Sequence, residues 1–179
     1  MPDGVLYRLP SADDVLGENK PEVVLEGLNF ANGFYLDESK NRFYLSETLA
    51  HRVLAFDLDT AKGTITNQST LAAIPSPDNM QLNHDGRLWV ASPLSNRIYS
   101  VDVDTGDSFV VFDAQTEWGA DAVAEVLSRP ELERGVVDFL VPELTGEMPG
   151  LLTGMIIPDS HGSFFVANLG EALIKVTTE

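Results

Sequence analysis

Two stretches of the sequence decide the fold, RFYLSETLAHRVLAFDLDTAKG at 42–63 and RLWVASPLSNRIYSVDVDTG at 87–106. Equivalent residues stand 45 positions apart, as Arg42 and Arg87 do, and as Asp57 and Asp102 do. A repeat of this length is typical either of propeller blades or of arrays of paired helices.

The residue types in the repeat indicate strands. Short runs rich in Phe, Tyr, Trp, Val and Ile alternate with compact polar turns, and both features are typical of antiparallel hairpins. We therefore exclude helical repeats and predict a four-stranded antiparallel meander for each unit. The runs lie at 42–45, 52–58, 87–90 and 97–103, and the turns lie at 37–41, 84–86 and 104–106.

A third unit follows less regularly. GSFFVA at 162–167 resembles GRLWVA at 86–91, and a further strand is expected at 172–176. The offset is now 76, so about 31 residues are inserted. The insertion lies near 115–150, where 120–127 and 131–140 have helix-forming composition and apolar spacing near 3.6. It is either surface decoration or a lid over the mouth of a channel.

The first residues look like the end of such a unit. VLYRL at 5–9 resembles the third strand of the second repeat, and VVL at 23–25 looks like an outer strand. The sequence therefore predicts an all-β, antiparallel β-propeller about three blades long, too short to close alone. Its segments are the end of one blade at 4–28, blades at 29–73 and 74–113, a helical insertion at 114–150 and a last partial blade at 151–179.

Composition narrows the classes of function. The 179 residues include 28 acidic and 11 basic side chains, a formal charge of −17, and such an acidic chain is a poor partner for nucleic acid. The sequence has no cysteine, which excludes disulfides and thiolate chemistry. It has no apolar run long enough for a membrane span and no signal-peptide features at its start. We expect a soluble protein, cytoplasmic if the chain is complete.

Several motifs together resemble the strictosidine synthase-like proteins and the related gluconolactonase (senescence marker protein) and paraoxonase families. They are FANG at 30–33, YLSET at 44–48, PDNM at 77–80 and GRLWVA at 86–91. The resemblance covers most of 4–112 and resumes at 159–177. It implies a six-bladed propeller, of which this chain would be about half.

The resemblance also implies a divalent cation, most often calcium, bound beside the channel. Carried over by motif, its ligands are Asn32, Asp78 and Asn79. Carboxylate and amide oxygens suit such a hard cation. The family's site also uses an acidic residue of the first blade, in a part of the family's sequence that this chain does not contain. The alternative is that Asn32-Gly33 and 77–79 are simple turns.

The remaining candidates for chemistry are fewer. Asp78 is expected to help a water molecule attack the substrate. Asp159 lies where some strictosidine synthase-like proteins carry a general acid or base, although a turn residue is the alternative. His161 fits a turn, His51 and His84 receive no role, and Glu47 is expected to order its loop through Arg52.

The function implied by the resemblance is metal-dependent hydrolysis of lactones or related esters. The alternative is a non-catalytic propeller module that binds a small molecule or a protein, and a strictosidine synthase-like condensation is third. We expect a small-molecule ligand, no nucleic-acid or membrane partner, and a homodimer in which two chains complete one six-bladed ring. Its two-fold axis would place two copies of Asn32, Asp78 and Asn79 around the channel.

Overall fold

The computed structural model of the chain describes residues 2–9, 20–130, 133, 135–158 and 162–177. Asp159 and His161, two of the residues considered above, lie outside the described residues. The described strands are all antiparallel to their neighbours and form four sheets in chain order. The prediction of an all-β antiparallel architecture with few helices is therefore confirmed.

Each sheet is a meander of consecutive strands. The first sheet pairs β1 (Gly4–Arg8) with β2 (Glu22–Leu28). The second contains β3 (Ala31–Asp37), β4 (Arg42–Glu47), β5 (Arg52–Asp59) and β6 (Thr64–Ala73). The third contains β7 (Met80–Leu82), β8 (Leu88–Ser92), β9 (Arg97–Val101) and β10 (Ser108–Asp113). The fourth contains β11 (Leu152–Ile156), β12 (Ser163–Asn168) and β13 (Ile174–Thr177).

The sheets stack face to face in chain order, because each of three buried clusters joins two consecutive sheets. In the second sheet, Phe43 lies opposite Phe56 and faces the first sheet, while Tyr44 lies opposite Ala55 and faces the third. Trp89 and Ile98 of the third sheet face the fourth. Alternate residues of a strand point to opposite faces, so a strand buried on both sides is apolar at almost every position. This explains the continuous apolar runs of the repeat.

The helical insertion follows β10 and begins with α1 (Glu117–Ser128). The Thr116 hydroxyl caps this helix by accepting a hydrogen bond from the Gly119 amide at 3.0 Å. The helix ends shortly before Pro130, and a proline disfavours helical backbone at the residue before it. The helix predicted at 120–127 is confirmed. No helix in the described part of the chain is long and apolar enough to cross a membrane.

The second predicted helix, at 131–140, is wrong over its described residues. The described residues of this stretch show 3-10 backbone at Glu133 and at Val137–Phe139 but no α-helix, and the short helix α2 (Pro142–Thr145) begins after them. Val136 and Phe139 are buried, but Val137 is 77% exposed, so the apolar residues do not share one helical face. Gly135 also disfavours a helix at this position.

Candidate cation site at the first strands of neighbouring sheets

The three predicted ligand residues meet where the first strands of the second and third sheets begin. Asn32 is the second residue of β3, and Asp78 and Asn79 directly precede β7. The Asn32 side chain is hydrogen-bonded to the Asp78 carboxyl group. The side-chain nitrogen Nδ2 of Asn79 lies 3.3 Å from Asp78 Oδ1. The structure brings the three side chains together, and their role as ligands stays a prediction.

Neither motif is a turn, so that alternative is wrong. Asn32 and Gly33 lie inside β3, at an irregularity in its pairing with β4. Asp78 and Asn79 continue the line of β7 alongside β8, because the Asp78 amide donates to the Ala91 carbonyl and the Ala91 amide donates to the Asn79 carbonyl, both at 2.9 Å. Both motifs are held by strand pairing, which fixes their side chains.

Two glycines allow three first strands to converge at Asn79. A Cβ atom on Gly33 would lie 2.5 Å from both the Asn79 Cα and the Asp78 carbonyl oxygen. A Cβ atom on Gly154, in β11, would lie 3.2 Å from the Asn79 Cβ. Gly33 is therefore required by close approach of β3 to the backbone of the third sheet. The sequence showed Gly33 only as part of an Asn-Gly pair.

Asp78 carries the charge of this site. Its side chain is buried, with 8% of the residue exposed. Burial raises the pKa of its carboxyl group to about 6, although hydrogen bonds from the Asn32 side chain and the Asn79 backbone act in the opposite direction. A nearby cation would favour the ionised form, because it supplies the opposite charge that burial makes necessary.

The side-chain amides of Asn32 and Asn79 use their nitrogen atoms in hydrogen bonds within the protein. The Asn32 nitrogen donates to the Thr48 hydroxyl at 3.3 Å. The Asn79 nitrogen donates to the Thr153 carbonyl of β11 at 2.8 Å. Because these nitrogens donate to protein groups, the side-chain oxygens of Asn32 and Asn79 are the atoms that could bind a cation.

A short turn of the second sheet holds the Asp78 segment, and sequence reasoning missed it. Thr48 donates its hydroxyl hydrogen to the Pro77 carbonyl at 2.7 Å while it accepts from Asn32. His51 Nδ1 accepts a hydrogen bond from the Ser76 amide at 2.8 Å, and the His51 carbonyl accepts from Ile74. Thr48, His51 and Ser76 are all buried.

The repeat contained a signal for His51. Its equivalent, 45 positions later, is Asn96, and both residues are buried with φ near +50°. The His51 carbonyl accepts from Ile74, and the Asn96 carbonyl accepts from Ala114, each at 3.1 Å. Both residues therefore tie a turn between the second and third strands to the segment that leaves the same sheet.

Glu47 has the structural role that the sequence predicted. Its buried carboxylate receives the Arg52 Nε at 2.6 Å and the Asn29 amide at 2.7 Å. The ion pair therefore fixes the chain just before β3, and the prediction that Glu47 orders its loop through Arg52 is confirmed.

The donor set fits a hard divalent cation such as Ca²⁺, which prefers carboxylate and amide oxygens. The charge available is small. Asp78 is the ionisable member of the three predicted ligands, and among the described residues no group of three or more His, Asp or Glu side chains could hold a metal ion.

These sheets and side chains define an antiparallel β-propeller chain with one carboxyl group and two side-chain amides beside its first strands. Residues 2–118 match the family described as SMP-30/Gluconolactonase/LRE-like region, and the chain belongs to this family. Rabbit (Oryctolagus cuniculus) regucalcin is 31% identical over 107 residues, 58% of this chain and 34% of the relative. Protein STRICTOSIDINE SYNTHASE-LIKE 13 of Arabidopsis thaliana is 34% identical over 70 residues, 38% of this chain and 17% of the relative.

Solved structures share the fold. A gluconolactonase from Xanthomonas campestris superposes with a TM-score of 0.63 at 16% identity, covering 98% of this chain and 44% of that protein. Regucalcin from Agrobacterium tumefaciens, described as a calcium-binding protein, superposes with a TM-score of 0.54 at 13% identity over 82% of this chain and 40% of that one. The chain spans about a third of the length of rabbit regucalcin and less than half of these structures.

Proposed function

We propose that this chain forms part of a Ca²⁺-dependent hydrolase of lactones or related esters. The observation that carries the proposal is the meeting of Asn32, Asp78 and Asn79 around a buried carboxyl group of raised pKa. Membership of the family supports it, as do the fold neighbours named gluconolactonase and calcium-binding regucalcin. We further propose that the sheets are about three blades of a larger propeller.

The protein's own groups have separate tasks in this proposal. When bound, Ca²⁺ supplies a Lewis acid that polarises the ester carbonyl. Asp78 would offset one of the two positive charges of the cation, and the amide oxygens of Asn32 and Asn79 would complete the protein's part of the set. The Asp78 carboxylate can also accept a proton from an attacking water. Asp159 remains a sequence-based candidate for a second acid or base.

A non-catalytic binding module is the second candidate, and one observation favours it. The described donor set contains a single carboxylate, from Asp78, so its hold on a cation is weaker than that of a site with several acids. A propeller with such a site can bind a small molecule without chemistry.

The test is thermal melting with CaCl₂ or with chelator, followed by a panel of γ- and δ-lactones under the same conditions. A ligand at a hundredfold excess over its Kd stabilises the fold by about 2.7 kcal/mol, enough to shift the melting temperature measurably. We expect Ca²⁺ to stabilise the wild type, and chelator to abolish lactone turnover. Stabilisation without turnover on any lactone would favour the binding module.

Variants identify the ligands. Asp78→Asn should lose the Ca²⁺ shift, because it removes the charge of the set, whereas Asn79→Ala should keep part of it. Asp121→Asn is the matched control, since Asp121 is an exposed residue of α1 and loses the same charge. Equal Ca²⁺ shifts in the wild type and Asp78→Asn would contradict the assignment of Asp78 as the ligand.

A further inference from the structure

The four sheets are stacked in chain order, so each inner sheet has one face toward the preceding sheet and one toward the following sheet. Alternate residues of a strand point to these two faces. Met80 and Leu82 of β7 pack into the cluster shared with the second sheet. Gln81, between them, faces the fourth sheet, where its side chain donates to the Ile157 carbonyl at 3.2 Å and accepts from the Ile157 amide at 3.0 Å. At each interface, the face that one sheet turns toward the following sheet packs on the face that the next sheet turns back toward it.

At the start of the stack, the preceding-facing positions are uncovered. Phe34 and Leu36 stand 46 positions before Met80 and Leu82, and they are 53% and 47% exposed, whereas Met80 is 9% exposed. Leu36 lies opposite Phe43, and the Phe34 and Phe43 rings are 5.8 Å apart. Phe43 belongs to the cluster shared with the first sheet, so both side chains face that way. We call Phe34 and Leu36 the leading face.

The leading face is exposed because the first sheet is narrow. In the described part of the chain this sheet contains only β1 and β2, whereas the second and third sheets have four strands each. The hydrogen-bonding edge of β1 that does not pair with β2 has no described strand beside it. The space that inner strands would occupy lies next to β1 and over Phe34.

At the other end of the stack, the following-facing position Ile156 is exposed and Phe165 beside it is half-buried. Ile156, Phe165 and Lys175 lie opposite one another across β11, β12 and β13. Their neighbours Met155, Val166 and Ile174 point to the other side and pack against the third sheet. Ile156 is 52% exposed, whereas Trp89, which has the corresponding orientation in the third sheet, is 9% exposed. We call Ile156 and Phe165 the trailing face.

We propose that the trailing face of each chain packs on the leading face of a second copy, so that two chains associate head to tail through two equivalent contacts. Every interface inside the chain is already a contact of this kind, and the dimer repeats it at both of its seams. The fourth sheet of the partner then covers Phe34 and Leu36 and lies beside the free edge of β1. A single copy cannot make this contact with itself in the structure, because the two faces lie at opposite ends of the stack.

The charge of the chain gives this association a particular dependence on salt. Each copy carries a formal charge of −17, so two copies repel each other at long range. The residues that form the two faces are apolar, so salt chiefly screens the repulsion between the chains. Association should therefore tighten as the salt concentration increases.

Sedimentation velocity of the full 179-residue chain at low and high salt tests the proposal. Phe34→Lys alters the leading face and Ile156→Lys the trailing face, and each should weaken dimerisation by at least about tenfold. Val137→Lys is the matched control, because Val137 is 77% exposed but belongs to neither face. Leu36→Lys replaces Phe34→Lys if the latter melts at a lower temperature than the control.

The decisive measurement is an equimolar mixture of Phe34→Lys and Ile156→Lys. One leading and one trailing face remain intact in this mixture, on different chains, so the mixture should form dimers that neither variant forms alone. A folded wild type that stays monomeric at both salt concentrations would overturn the proposal. A wild-type dimer that either variant leaves unchanged, or a mixture that stays monomeric, would overturn it as well.

Discussion

Asp78 is a buried acid at the meeting point of two sheets, and this burial changes its titration. The pKa of a free aspartate is 3.8, and in the fold that of Asp78 rises to about 6, chiefly because burial disfavours the charged form. Between these values the folded chain holds a proton that the unfolded chain has released. The stability of the cation-free protein therefore falls as pH rises through this window.

We predict that Asp78→Asn removes this dependence. Relative to the variant, the cation-free wild type should lose up to about 3 kcal/mol of unfolding free energy between about pH 4 and pH 7. Urea unfolding of both proteins in chelator at several pH values measures the difference. Taking the difference cancels the opposite contribution of Asp57, Asp59, Asp102 and Asp113, whose pKa values are lowered. Parallel stability curves would show that Asp78 titrates normally.

Asn32, Asp78 and Asn79 could be proposed from the sequence because FANG and PDNM resemble motifs of a known family. Thr48 could not be predicted in this way. Its contribution comes from contacts with Asn32, 16 residues before it, and with Pro77, 29 residues after it. Nothing local in SETLA distinguishes a hydroxyl that links two sheets from one that faces solvent.

Among the elements, the turn that follows β4 has the clearest expected effect on binding. We predict that Thr48→Val lowers Ca²⁺ affinity by about tenfold or more, because partners of metal ligands orient them. The valine methyl keeps the shape of the residue but leaves the Pro77 carbonyl and the Asn32 amide without this partner. Thr48→Ser, which keeps the hydroxyl, should bind as the wild type does. Titration calorimetry measures both, and equal affinities for valine and wild type would reject the role.

The helical insertion packs over turns at the end of the sheets where the candidate site lies. Leu94, fully buried, belongs to one apolar cluster with Ala122 and Val126 of α1, and Leu49 packs against the same cluster. Leu49 directly follows Thr48, which binds Asn32. The insertion therefore lies near the site, as a lid would, and it also buries apolar surface.

We predict that replacing 117–145 by a short Gly-containing link leaves the sheets folded but less stable. Uncovering one leucine the size of Leu94 costs about 1.5–3 kcal/mol, so the loss should be a few kcal/mol. Circular dichroism and urea unfolding measure the two effects, and adding Leu94→Ser controls for aggregation through the uncovered surface. An unfolded product would show that the insertion is part of the core.

The two predicted helices of this insertion show why local pattern succeeds or fails. In α1 the buried residues Gly119, Ala122 and Val126 follow helical spacing, a threonine begins the helix, and a proline follows its end. The stretch at 131–140 has similar spacing but is interrupted by Gly135, and its apolar side chains divide between burial and solvent. Apolar spacing predicted a helix correctly only where the sequence also contained a capping residue at its start and a proline after its end.

For the whole molecule, the internal repeat made the sheets predictable. The strands β4, β5, β8 and β9 lie within two residues of the runs seen in the sequence, because sheets buried on both faces need apolar residues at successive positions. The close approach of β3, β7 and β11 could not be predicted, since it depends on how complete sheets stack. That stacking decides where polar side chains meet.

The stacking of the sheets in a row determines how the molecule unfolds locally. Each of the three main clusters joins only two consecutive sheets, so cooperativity passes from neighbour to neighbour, as in a linear repeat protein. Fraying begins at either end of such a row and reaches the middle last. Asn32 and Asp78 lie at the junction of the two central, four-stranded sheets. The most slowly exchanging backbone amides of the chain should therefore surround its candidate site, even though the first and fourth sheets open locally.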